Sequence, residues 1–389
     1  MEKVSITKAV KIKNHRVKHF DGGKDYLATG GLIENTIETE LITYETKPSR
    51  ADLLVTENQL IVARMKETNK VLLVDQDTSN LIVSTGFLVL DVQEGWHPRF
   101  LFHYFKSSFF QEQKDRLSSG ATQKAINNDK FKEIVIPEIS FEDQKRIVTM
   151  LDKSDAIRQK RKRAITMLDD YLQSVFLEMF GDLSKNNKSW ELFEFEKYIS
   201  LLTDYHANGS YEVLKKNVTL LSEPDYALMV RTTDLENDNF TTDVKYIDQH
   251  AYNFLEKSRV FGNEIIINKI GSAGKVYFMP KLNRPVSLGM NAFLLRFNDN
   301  ANVKFIYYLL TSSYGEAIIQ KKVKGAVTKT IRKDAVKGLQ VPNIPIDLQN
   351  KFAKLFDKTK SLKQKMLTQS QEMENKFQAL IQNAFKGGL

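Results

Sequence analysis

The stretch GATQKAINNDKFKEIVIP at residues 120–137 returns in altered form as GAVTKTIRKDAVKGLQVP at residues 325–342. The two stretches lie 205 positions apart in a chain of 389 residues, and this offset holds without a gap as far as Phe180 and Phe385. Residues identical in both copies include Gly120, Ala121, Lys124, Ile126, Asp129, Lys132, Pro137, Gln144, Asp152 and Gln173. A period of this length excludes a solenoid of short repeats and predicts a tandem duplication of one mixed domain plus one long helix.

The duplication continues upstream at the same offset. Residues 58–74, NQLIVARMKETNKVLLV, align with residues 263–279, NEIIINKIGSAGKVYFM. Both segments predict an apolar strand, a short polar turn, a lysine and a second apolar strand. The turns themselves differ, because KETNK at residues 66–70 lacks the glycines of GSAGK at residues 271–275.

A long helix is predicted after Pro137 and again after Pro342. Each proline ends a strand, and acidic residues open the first helical turn that follows. Apolar residues then recur at spacings of three and four, which makes a narrow seam suited to a partner helix. The seam residues are Ile165, Leu168, Leu172, Val175 and Met179 in the first copy, and Leu355, Leu362, Met366, Met373 and Leu380 in the second. Forty helical residues span about 60 Å, so we expect an antiparallel pair that holds two globular domains apart.

These patterns predict an α+β chain with an internal pseudo-two-fold repeat. The expected globular domains are residues 1–138 and 184–343, and the expected long helices are residues 139–183 and 344–389. The β-like runs do not alternate with helices, so a mixed domain is favoured over a βαβ arrangement. One short helix is expected in each domain, around residues 100–117 and 302–321.

The overall charge of the chain is basic. The formal net charge is +9, which is typical of nucleic-acid-binding proteins but also of proteins from a Lys-rich proteome. The absence of cysteine excludes disulfides, thiol nucleophiles and cysteine-based zinc sites. Because neither a secretory h-region nor an apolar run of about 18 residues is present, we expect a soluble cytoplasmic protein.

Motifs of common catalytic and metal sites are missing or fragmentary. An adenine methyltransferase needs an Asn/Asp-Pro-Pro-aromatic loop, and the eight prolines include no Pro-Pro pair. The GSAGKV segment at residues 271–276 lacks the glycine spacing of a phosphate-binding loop. Residues 112–114 match a nuclease Glu-x-Lys fragment but lie in a predicted amphipathic helix, and His15 and His19 have no nearby carboxylate. The sequence therefore predicts no catalytic site and no metal site.

Candidate DNA-binding residues lie on the strand turns and on the repeated loops that contain Gly120 and Gly325. A turn between two strands can enter a DNA groove, where Lys and Arg reach phosphates or guanine edges. The candidates are Arg64, Lys70 and Lys124 in the first copy, and Arg231, Lys269, Gly271, Ser272, Lys275, Lys329, Arg332 and Lys333 in the second. An ordinary turn with solvated lysines is the alternative interpretation at each position.

A basic run lies in the middle of the first long helix. Residues 158–163, RQKRKR, place five positive charges in six positions. Such a run usually forms a solvated helix face. In this architecture it could also face DNA or an acidic partner, and both interpretations stay open.

Two variable globular domains, each followed by a similar long helix, resemble the specificity subunit of Type I restriction-modification systems over essentially the whole chain. The join GATQKAI…IPEISFEDQKRIVTMLDKSDAI is similar to the family's domain-to-helix join, with Pro137 and Gln144 in one copy and Pro342 and Gln349 in the other. The segment GNEIIINKIGSAGKVYF…SLGMNAFLLRF is similar to a strand–turn–strand element of the family's target recognition domains.

The resemblance implies that each globular domain is a target recognition domain for one half of a bipartite, asymmetric DNA site. The helices would set the gap between the halves, and two modification subunits would pack against them and methylate adenine. Restriction subunits would add an ATP-dependent translocase and nuclease. S-adenosylmethionine, ATP and Mg would then belong to the partners, and this chain would carry no cofactor and no catalytic activity.

Two other functions fit part of the pattern. A coiled-coil scaffold with two ligand-binding domains would need no DNA, and salt-sensitive DNA binding separates it from a DNA-recognition protein. A self-contained restriction enzyme would need its own methyltransferase loop, and the lack of a Pro-Pro pair argues against it.

Overall fold

The fold was determined as a computed structural model that describes residues 2–33 and 36–386. The chain divides into two compact units. The first unit comprises residues 1–165 and 365–389, and the second comprises residues 166–364. Residues 387–389, at the end of the predicted second helix, lie outside the described residues. None of the helices in the described ranges combines the length and apolar character that crossing a membrane requires.

The first unit is built mainly from strands. They are β1 (Lys3–Ser5), β2 (Val10–Ile12), β3 (Lys24–Leu27), β4 (Leu32–Ile33), β5 (Thr36–Ile37), β6 (Glu40–Ile42), β7 (Ala51–Leu54), β8 (Leu60–Ala63), β9 (Val71–Leu73), β10 (Ile82–Ser84), β11 (Phe87–Val92) and β12 (Val135–Pro137). The helices are α1 (Pro98–Lys106), α2 (Ser108–Leu117), α3 (Asn128–Phe131) and the beginning of α4 (Phe141–Phe180). The strands form sheets in the orders β2-β11-β8-β9 and β6-β3-β10-β7, and the pairs β1-β12 and β4-β5.

The second unit follows the same plan with additional short helices. Its strands are β13 (Leu192–Glu194), β14 (Ile199–Asp204), β15 (Ala227–Val230), β16 (Lys245–Ile247), β17 (Arg259–Val260), β18 (Glu264–Asn268), β19 (Val276–Met279), β20 (Val286–Leu288), β21 (Ala292–Phe297) and β22 (Gln340–Pro342). Its helices are α5 (Tyr211–Asn217), α6 (Thr232–Glu236), α7 (Gln249–Phe254), α8 (Val303–Thr311), α9 (Ser313–Gln320), α10 (Lys333–Lys337) and the beginning of α11 (Ile346–Lys386).

The two units share one strand topology. The order β2-β11-β8-β9 corresponds to β14-β21-β18-β19, and the order β6-β3-β10-β7 corresponds to β16-β15-β20-β17. In both versions of the second sheet the central pair, β3–β10 or β15–β20, is parallel while the outer pairs are antiparallel. The α+β fold class with an internal repeat is therefore confirmed.

The short helix expected in each domain is in fact a pair of helices. Ser107 separates α1 from α2, and Ser312 separates α8 from α9. Each serine has an extended backbone, and its hydroxyl accepts a hydrogen bond from an amide in the first turn of the second helix. A serine in this role starts a new helix rather than continuing the old one, so the prediction of one helix was wrong in both copies.

Local signals set the start and end of α4. The Ser140 hydroxyl accepts a hydrogen bond from the Asp143 backbone N–H at 3.1 Å and donates one to the Asp143 carboxylate at 2.7 Å. This exchange caps the first turn of the helix. At the other end Gly181 adopts a φ of 77°, a left-handed conformation in which glycine commonly terminates helices.

Each domain-to-helix join is fixed by one buried glutamine. The Gln144 side chain donates to the carbonyls of Gly95 and Ile139 and accepts from the His97 backbone N–H. Gln349 makes the same three bonds at the equivalent positions, with Asn300, Ile344 and Asn302. A buried amide that satisfies three backbone groups ties a loop, a strand end and a helix together. The repeated glutamine therefore has a structural explanation.

The core of each unit is completed by the end of a long helix that starts in the other unit. In the first unit, the Phe385 ring lies 5.3 Å from the Phe100 ring and 5.5 Å from Tyr104. In the second unit, the Phe180 ring lies 5.1 Å from the ring of Phe305. Phe385 and Phe180 are equivalent at the offset of 205, as are Phe100 and Phe305. The repeat thus extends to aromatic packing inside the cores.

Within each unit the segments of α4 and α11 run antiparallel and are joined by an ion pair. Arg158 binds Glu374 in the first unit and also lies 4.1 Å from the Phe377 ring centre. Lys363 binds Asp169 at 2.6 Å in the second unit. The predicted pairing of the two helices is confirmed by these contacts.

The predicted seam residues differ in burial. Leu172 is buried, and Leu362 is 47% exposed. The half-buried members are Ile165, Leu168, Val175, Met179, Leu355, Met366, Met373 and Leu380. Val175 and Met179 pack against the core of the second unit, and Leu380 packs against that of the first. The ends of the helices are thus used by the globular cores, whereas Leu362 keeps an open apolar surface.

Candidate DNA interface

The repeated loops, residues 119–125 and 324–330, have one backbone structure. Ser119 and Ala125 exchange two backbone hydrogen bonds, at 3.0 and 3.1 Å. Lys324 and Thr330 exchange the equivalent pair, at 2.9 and 2.7 Å. Such a closed ring of backbone bonds fixes the loop without help from its side chains. The loop side chains are therefore free to differ between the two copies.

Glycine is required at the second residue of each loop. Gly120 has a φ of 138°, and an added Cβ would lie 2.5 Å from the Gln123 carbonyl oxygen. Gly325 has a φ of 108°, and its Cβ would approach the Thr328 carbonyl oxygen even more closely. A side chain at either position would collide with backbone. The two identical glycines are thus explained by loop closure.

Each repeated loop is bound to the neighbouring strand turn. The Lys66 N–H donates to the Lys124 carbonyl at 2.9 Å, and the Gly271 N–H donates to the Lys329 carbonyl at 3.0 Å. The structure therefore brings the β8–β9 turn (residues 64–70) to the first loop and the β18–β19 turn (residues 269–275) to the second. These are the segments that carry most of the predicted DNA-binding residues.

Arg64 is tied to backbone carbonyls rather than presented to solvent. Its guanidinium donates to the Phe87 carbonyl at 3.1 Å and to the Ile126 carbonyl at 3.3 Å. Burial lowers the pKa of this guanidinium, because removal from water disfavours the charged form. The contacts support a structural role for Arg64 in holding the turn to the loop, and its DNA contact stays a prediction.

Lys70 and Lys124, the other first-unit candidates, differ in their surroundings. The Lys70 ammonium donates to the Thr29 carbonyl at 2.7 Å and to the Gly30 carbonyl at 3.2 Å. Lys124 is exposed on the repeated loop. Among the described residues of the first unit, Lys124 is therefore the candidate best placed to reach a phosphate.

Lys114 is a buried cation that the sequence did not single out for binding. Its side chain is fully buried, and its ammonium donates to the Met65 carbonyl at 3.0 Å and the Thr68 carbonyl at 2.6 Å. Burial lowers its pKa, opposed by Asp115 at 3.7 Å. The third residue of the Glu-x-Lys fragment is thus occupied with supporting the β8–β9 turn. The internal repeat could have indicated that Lys114 is buried, because the equivalent residue of the second copy is the apolar Ile319.

Lys269 and Lys333 of the second unit share one carboxylate. The Lys269 ammonium lies 3.1 Å from one oxygen of Asp204, and the Lys333 ammonium lies 3.2 Å from the other. Burial raises the pKa of Asp204, but the hydrogen bonds from the two lysines outweigh burial and leave the pKa below its usual value. We call these three residues the Asp204 cluster. Sequence reasoning missed Asp204, because its partners lie 65 and 129 positions away.

Lys275 is held by a second carboxylate. Its ammonium lies 3.2 Å from Glu236, which also accepts a hydrogen bond from the Tyr277 hydroxyl at 3.0 Å. Hydrogen bonds from Tyr277 and Lys275 lower the pKa of Glu236. The Lys275 side chain is nevertheless about half exposed, and its DNA contact stays a prediction.

Arg231 forms a bidentate salt bridge with Asp234. Its Nε and Nη2 atoms donate to the two oxygens of Asp234 at 3.1 and 2.6 Å, and Nη2 also donates to the Asp243 carbonyl at 2.6 Å. The hydrogen bond to Asp234 raises the pKa of Arg231. Arg231 borders a cavity of about 460 Å³ whose walls include Tyr205 and Tyr211.

The remaining second-unit candidates are open to solvent. Gly271, Ser272, Lys329 and Arg332 are all exposed. The first three line a cleft of about 510 Å³ together with Lys275. The structure thus brings the β18–β19 turn and the second repeated loop to one concave surface that carries Lys275 and Lys329.

The basic run at residues 158–163 is divided by the helix geometry. Arg158 is largely buried by its contacts with Asp155 at 2.7 Å and with Glu374. Lys160 and Arg163 are exposed. One member of the run therefore joins the two long helices, and Lys160 and Arg163 contribute to a solvated basic face. Within the described ranges, no group of three His, Cys, Asp or Glu side chains could hold a metal ion.

Comparisons with known proteins agree on one family. The family model for the Type I restriction modification DNA specificity domain matches residues 3–167 and again residues 192–373. The chain belongs to this family. Both matches cover a strand-rich domain and most of the long helix that follows it, as the repeat requires.

Individual relatives resemble the chain in sequence or in fold. The MjaIX specificity subunit of a Type I restriction enzyme from Methanocaldococcus jannaschii is 26% identical over 118 residues, which cover 30% of this chain and 24% of that protein. The match thus spans about a quarter of that relative's length.

Two solved structures have the same fold over nearly the whole chain. The S subunit of a Type I restriction-modification system from M. genitalium superposes with a TM-score of 0.58 at 16% identity, covering 99% of this chain and 96% of that one. A chain from a study of complex assembly and conformational transition of the type I R-M system gives a TM-score of 0.63 at 18% identity, covering 100% and 98%. At these identities the likeness concerns the fold.

Proposed function

We propose that this specificity-family chain recognises a bipartite DNA site, with each globular domain binding one half. The observation that carries the proposal is the internal repeat of the strand turn and its loop. The backbone bonds from Lys66 to Lys124 and from Gly271 to Lys329 are the same, whereas the turn side chains differ. One scaffold with two sets of side chains suits two different half-sites.

The charge on these surfaces fits a DNA partner. Lys124 in the first unit and Lys329 in the second are exposed on the equivalent loops, and the exposed Arg332 follows the second loop. Lysine and arginine at such positions bind phosphates and supply the salt-dependent part of DNA affinity. Side chains at the turn tips would then contact base edges. The coiled-coil scaffold without DNA explains neither the repeated basic loops nor the family match.

The two long helices would set the distance between the half-sites and dock the modification subunits. The ion pairs Arg158–Glu374 and Lys363–Asp169 fix the helix pairing within each unit. Exposed apolar residues on these helices, such as Met167 and Tyr171, offer surface for a partner. We propose two modification subunits as the partners, with restriction subunits joining them.

We further propose that the chain is not itself a catalyst. Lys114, the only basic residue of the Glu-x-Lys fragment, donates to backbone carbonyls of Met65 and Thr68 and is unsuited to a nuclease role. Adenine methylation with S-adenosylmethionine, and ATP- and Mg-dependent cleavage, would be carried out by the partner subunits.

The test is sequence-dependent DNA binding by the full chain with its candidate modification subunit. A library of duplexes carrying two randomised blocks at variable separation is selected for binding at two salt concentrations. We expect enrichment of one two-part motif and loss of binding when the separation changes by one base pair. Absence of any preferred motif, or affinity that does not change with salt, would contradict the proposal.

A matched pair of variants checks the assigned surface. Lys329→Ala should reduce the slope of log affinity against log salt by about 0.9, the value for one lost phosphate contact. Lys281→Ala removes the same charge from an exposed site beyond the opposite end of β19 and should leave the slope unchanged. Equal effects of the two variants would show that only net charge matters.

A further inference from the structure

We propose that Lys269 and Lys333, held by Asp204, form one binding site for a single DNA backbone phosphate. The inference rests on the proposed function and specifies how the second unit anchors to DNA. Asp204 is in this view a positioning residue, which acts on DNA through the two lysines and does not touch it.

The geometry of the Asp204 cluster favours a shared ligand. Asp204 ends β14, Lys269 follows β18 and Lys333 begins α10, so three separate segments converge on one carboxylate. The Asp204 side chain is 9% exposed, whereas those of Lys269 and Lys333 are 27% and 36% exposed. The carboxylate is thus covered, and the two lysine side chains that bind its two oxygens are partly exposed.

Both ammonium groups have donors to spare. A lysine ammonium carries three N–H donors, and the described structure shows one hydrogen bond from Lys269 Nζ and one from Lys333 Nζ. Two like charges at short distance repel each other, and the carboxylate between them offsets that repulsion. The arrangement therefore presents several N–H donors in one small area, which suits the oxygens of a phosphate.

The charge balance distinguishes this cluster from the other held cations of the second unit. Lys275 is matched by Glu236, and Arg231 is matched by Asp234, so each of those pairs is neutral. Asp204 has two cations for one carboxylate and leaves one positive charge in excess. The exposed Arg332 is the chain neighbour of Lys333 and adds to the excess.

The first unit lacks the equivalent site. Arg64 stands where the second unit has Lys269, and its guanidinium is used by the carbonyls of Phe87 and Ile126. Asn128 stands where the second unit has Lys333, and its buried Oδ1 atom has no hydrogen-bond partner. The repeat therefore keeps the scaffold at this point, while the pair of cations belongs to the second unit alone among the described residues.

The decisive variant is Asp204→Asn, because two explanations predict opposite signs. If Asp204 only reduces the local positive charge, removing its charge raises affinity for every DNA. The ratio of the affinities for the target and the scrambled duplex then stays unchanged. If Asp204 positions the lysines, affinity for the scrambled duplex rises while affinity for the target falls. We expect the target-to-scrambled ratio to fall by about tenfold, whereas Asp204→Glu should lose less of it.

The salt dependence tests whether the phosphate is shared. Each phosphate contact contributes a slope of about −0.9 to log affinity against log salt. The triple variant D204N/K269M/K333M should lose about 0.9 of slope if both lysines bind one phosphate. A loss of about 1.8 would mean two separate phosphates and would overturn the shared site, and so would no loss at all.

The measurements use the full chain with its candidate modification subunit, the selected target duplex and a scrambled duplex of equal length. Circular dichroism reports folding of the whole chain, and Trp190 fluorescence in a Trp96→Phe background reports folding of the second unit. If Asp204→Asn does not fold, Lys269→Met and Lys333→Met take its place, since each leaves one lysine on Asp204. Each should then reduce the slope by clearly less than about 0.9, because the remaining lysine still binds the phosphate, and a loss of about 0.9 from each would mean two separate phosphates and overturn the shared site.

The two proposals fail in different ways. If the wild-type complex shows no preference for any split site, the proposed function is wrong before any variant is made. If the wild-type complex shows the preference and Asp204→Asn keeps the same target-to-scrambled ratio, the shared phosphate site alone is wrong.

Discussion

The β8–β9 turn of the first unit and the β18–β19 turn of the second are equivalent in position but are supported by different residues. In the first turn, Glu67 adopts a left-handed φ of 58°, and the Lys114 ammonium binds the carbonyls of Met65 and Thr68 from below. In the second turn, Gly271 and Gly274 adopt left-handed φ values of 83° and 86°.

The residue beneath the turn changes together with the turn. Ile319 occupies the position equivalent to Lys114, and a Cβ on Gly274 would lie 2.5 Å from its Cγ2 atom. Glycine lets the backbone come down onto an apolar side chain, whereas the turn without glycine leaves carbonyls that need a donor. The comparison teaches that the turn and the residue beneath it are exchangeable only as a set.

The chain provides a separate fluorescent reporter for each unit. Its two tryptophans are Trp96 in the first unit and Trp190 in the second. Trp190→Phe leaves a reporter of the first unit, and Trp96→Phe leaves a reporter of the second. Unfolding of the two units can therefore be followed independently, which matters because a chain with two units need not unfold in one step.

The largest expected effect on stability comes from Ile319→Lys, which places the buried lysine of the first unit at the equivalent position of the second. A buried ammonium would meet a glycine turn of different backbone shape, and an uncompensated buried charge costs about 3–5 kcal/mol. Guanidinium unfolding followed by Trp190 should show this loss for the second unit. Ala317→Lys, an exposed position of the same helix, should change stability by less than about 0.5 kcal/mol.

Lys114→Met makes the converse change in the first unit. Two turn carbonyls lose their donor, and an unsatisfied buried polar group costs about 1–3 kcal/mol. Unfolding followed by Trp96 should therefore show a loss of about 2–3 kcal/mol. Arg116→Met removes an exposed cation from the same helix and should have little effect. Equal stability of Lys114→Met and wild type would sink the idea that the lysine supports the turn.

A further test transfers both the turn and the residue beneath it from the second unit to the first. Replacing residues 66–69 by Gly-Ser-Ala-Gly together with Lys114→Ile should recover most of the stability that Lys114→Ile alone removes. The recovery is a coupling energy and is measured by a double-mutant cycle. Additive losses from the two changes would show that the turn and the residue beneath it are independent.

Gly274→Ala should have a smaller effect on the second unit. A non-glycine residue in a left-handed conformation costs about 1–3 kcal/mol, and the new Cβ also presses on Ile319. Gly271→Ala places a residue at a similar left-handed φ, but its Cβ would meet no atom within 4 Å, so it should cost less. If both alanines cost the same, the contact with Ile319 contributes nothing.

The smallest expected effect is a pH-dependent contribution from Asp204. Because its pKa is lower in the folded chain, the carboxylate stabilises the second unit above the ordinary aspartate pKa of about 3.9, and this contribution disappears as pH falls through the folded value. The stability difference between wild type and Asp204→Asn, followed by Trp190, should therefore shrink below about pH 4. Trp96 should report no such change in the first unit, where Arg64 and Asn128 stand at the positions equivalent to Lys269 and Lys333.

Much of the architecture could be predicted from the sequence because the repeat is carried by residues with strong backbone roles. Gly120 and Gly325 close identical loops, and Gln144 and Gln349 satisfy equivalent backbone groups. Such residues keep their identity when other positions change, so an offset of 205 exposes them. The short helices were missed in detail because a serine cap at Ser107 or Ser312 is a local signal within a continuous apolar pattern.

The electrostatic partners of the candidate site could not be predicted in the same way. Asp204 meets Lys269 and Lys333 across 65 and 129 positions of chain, and no spacing rule links residues that far apart. The contacts of Arg64 could not be predicted either, since a cation beside a turn suggests a ligand contact, whereas its guanidinium donates to the carbonyls of Phe87 and Ile126. Only the tertiary structure separates cations that support the fold from cations available to DNA.

The last helical turns of α11 make the order of synthesis matter for folding. Phe377, Ile381 and Phe385 belong to the core of the first unit, yet they follow every residue of the second. At a translation rate of about 5–20 residues per second, the roughly 200 residues between the ends of α4 and α11 take on the order of 10–40 seconds to make. Throughout that interval the core of the first unit is unfinished, and a premature stop just before Phe377 would leave it unfinished permanently.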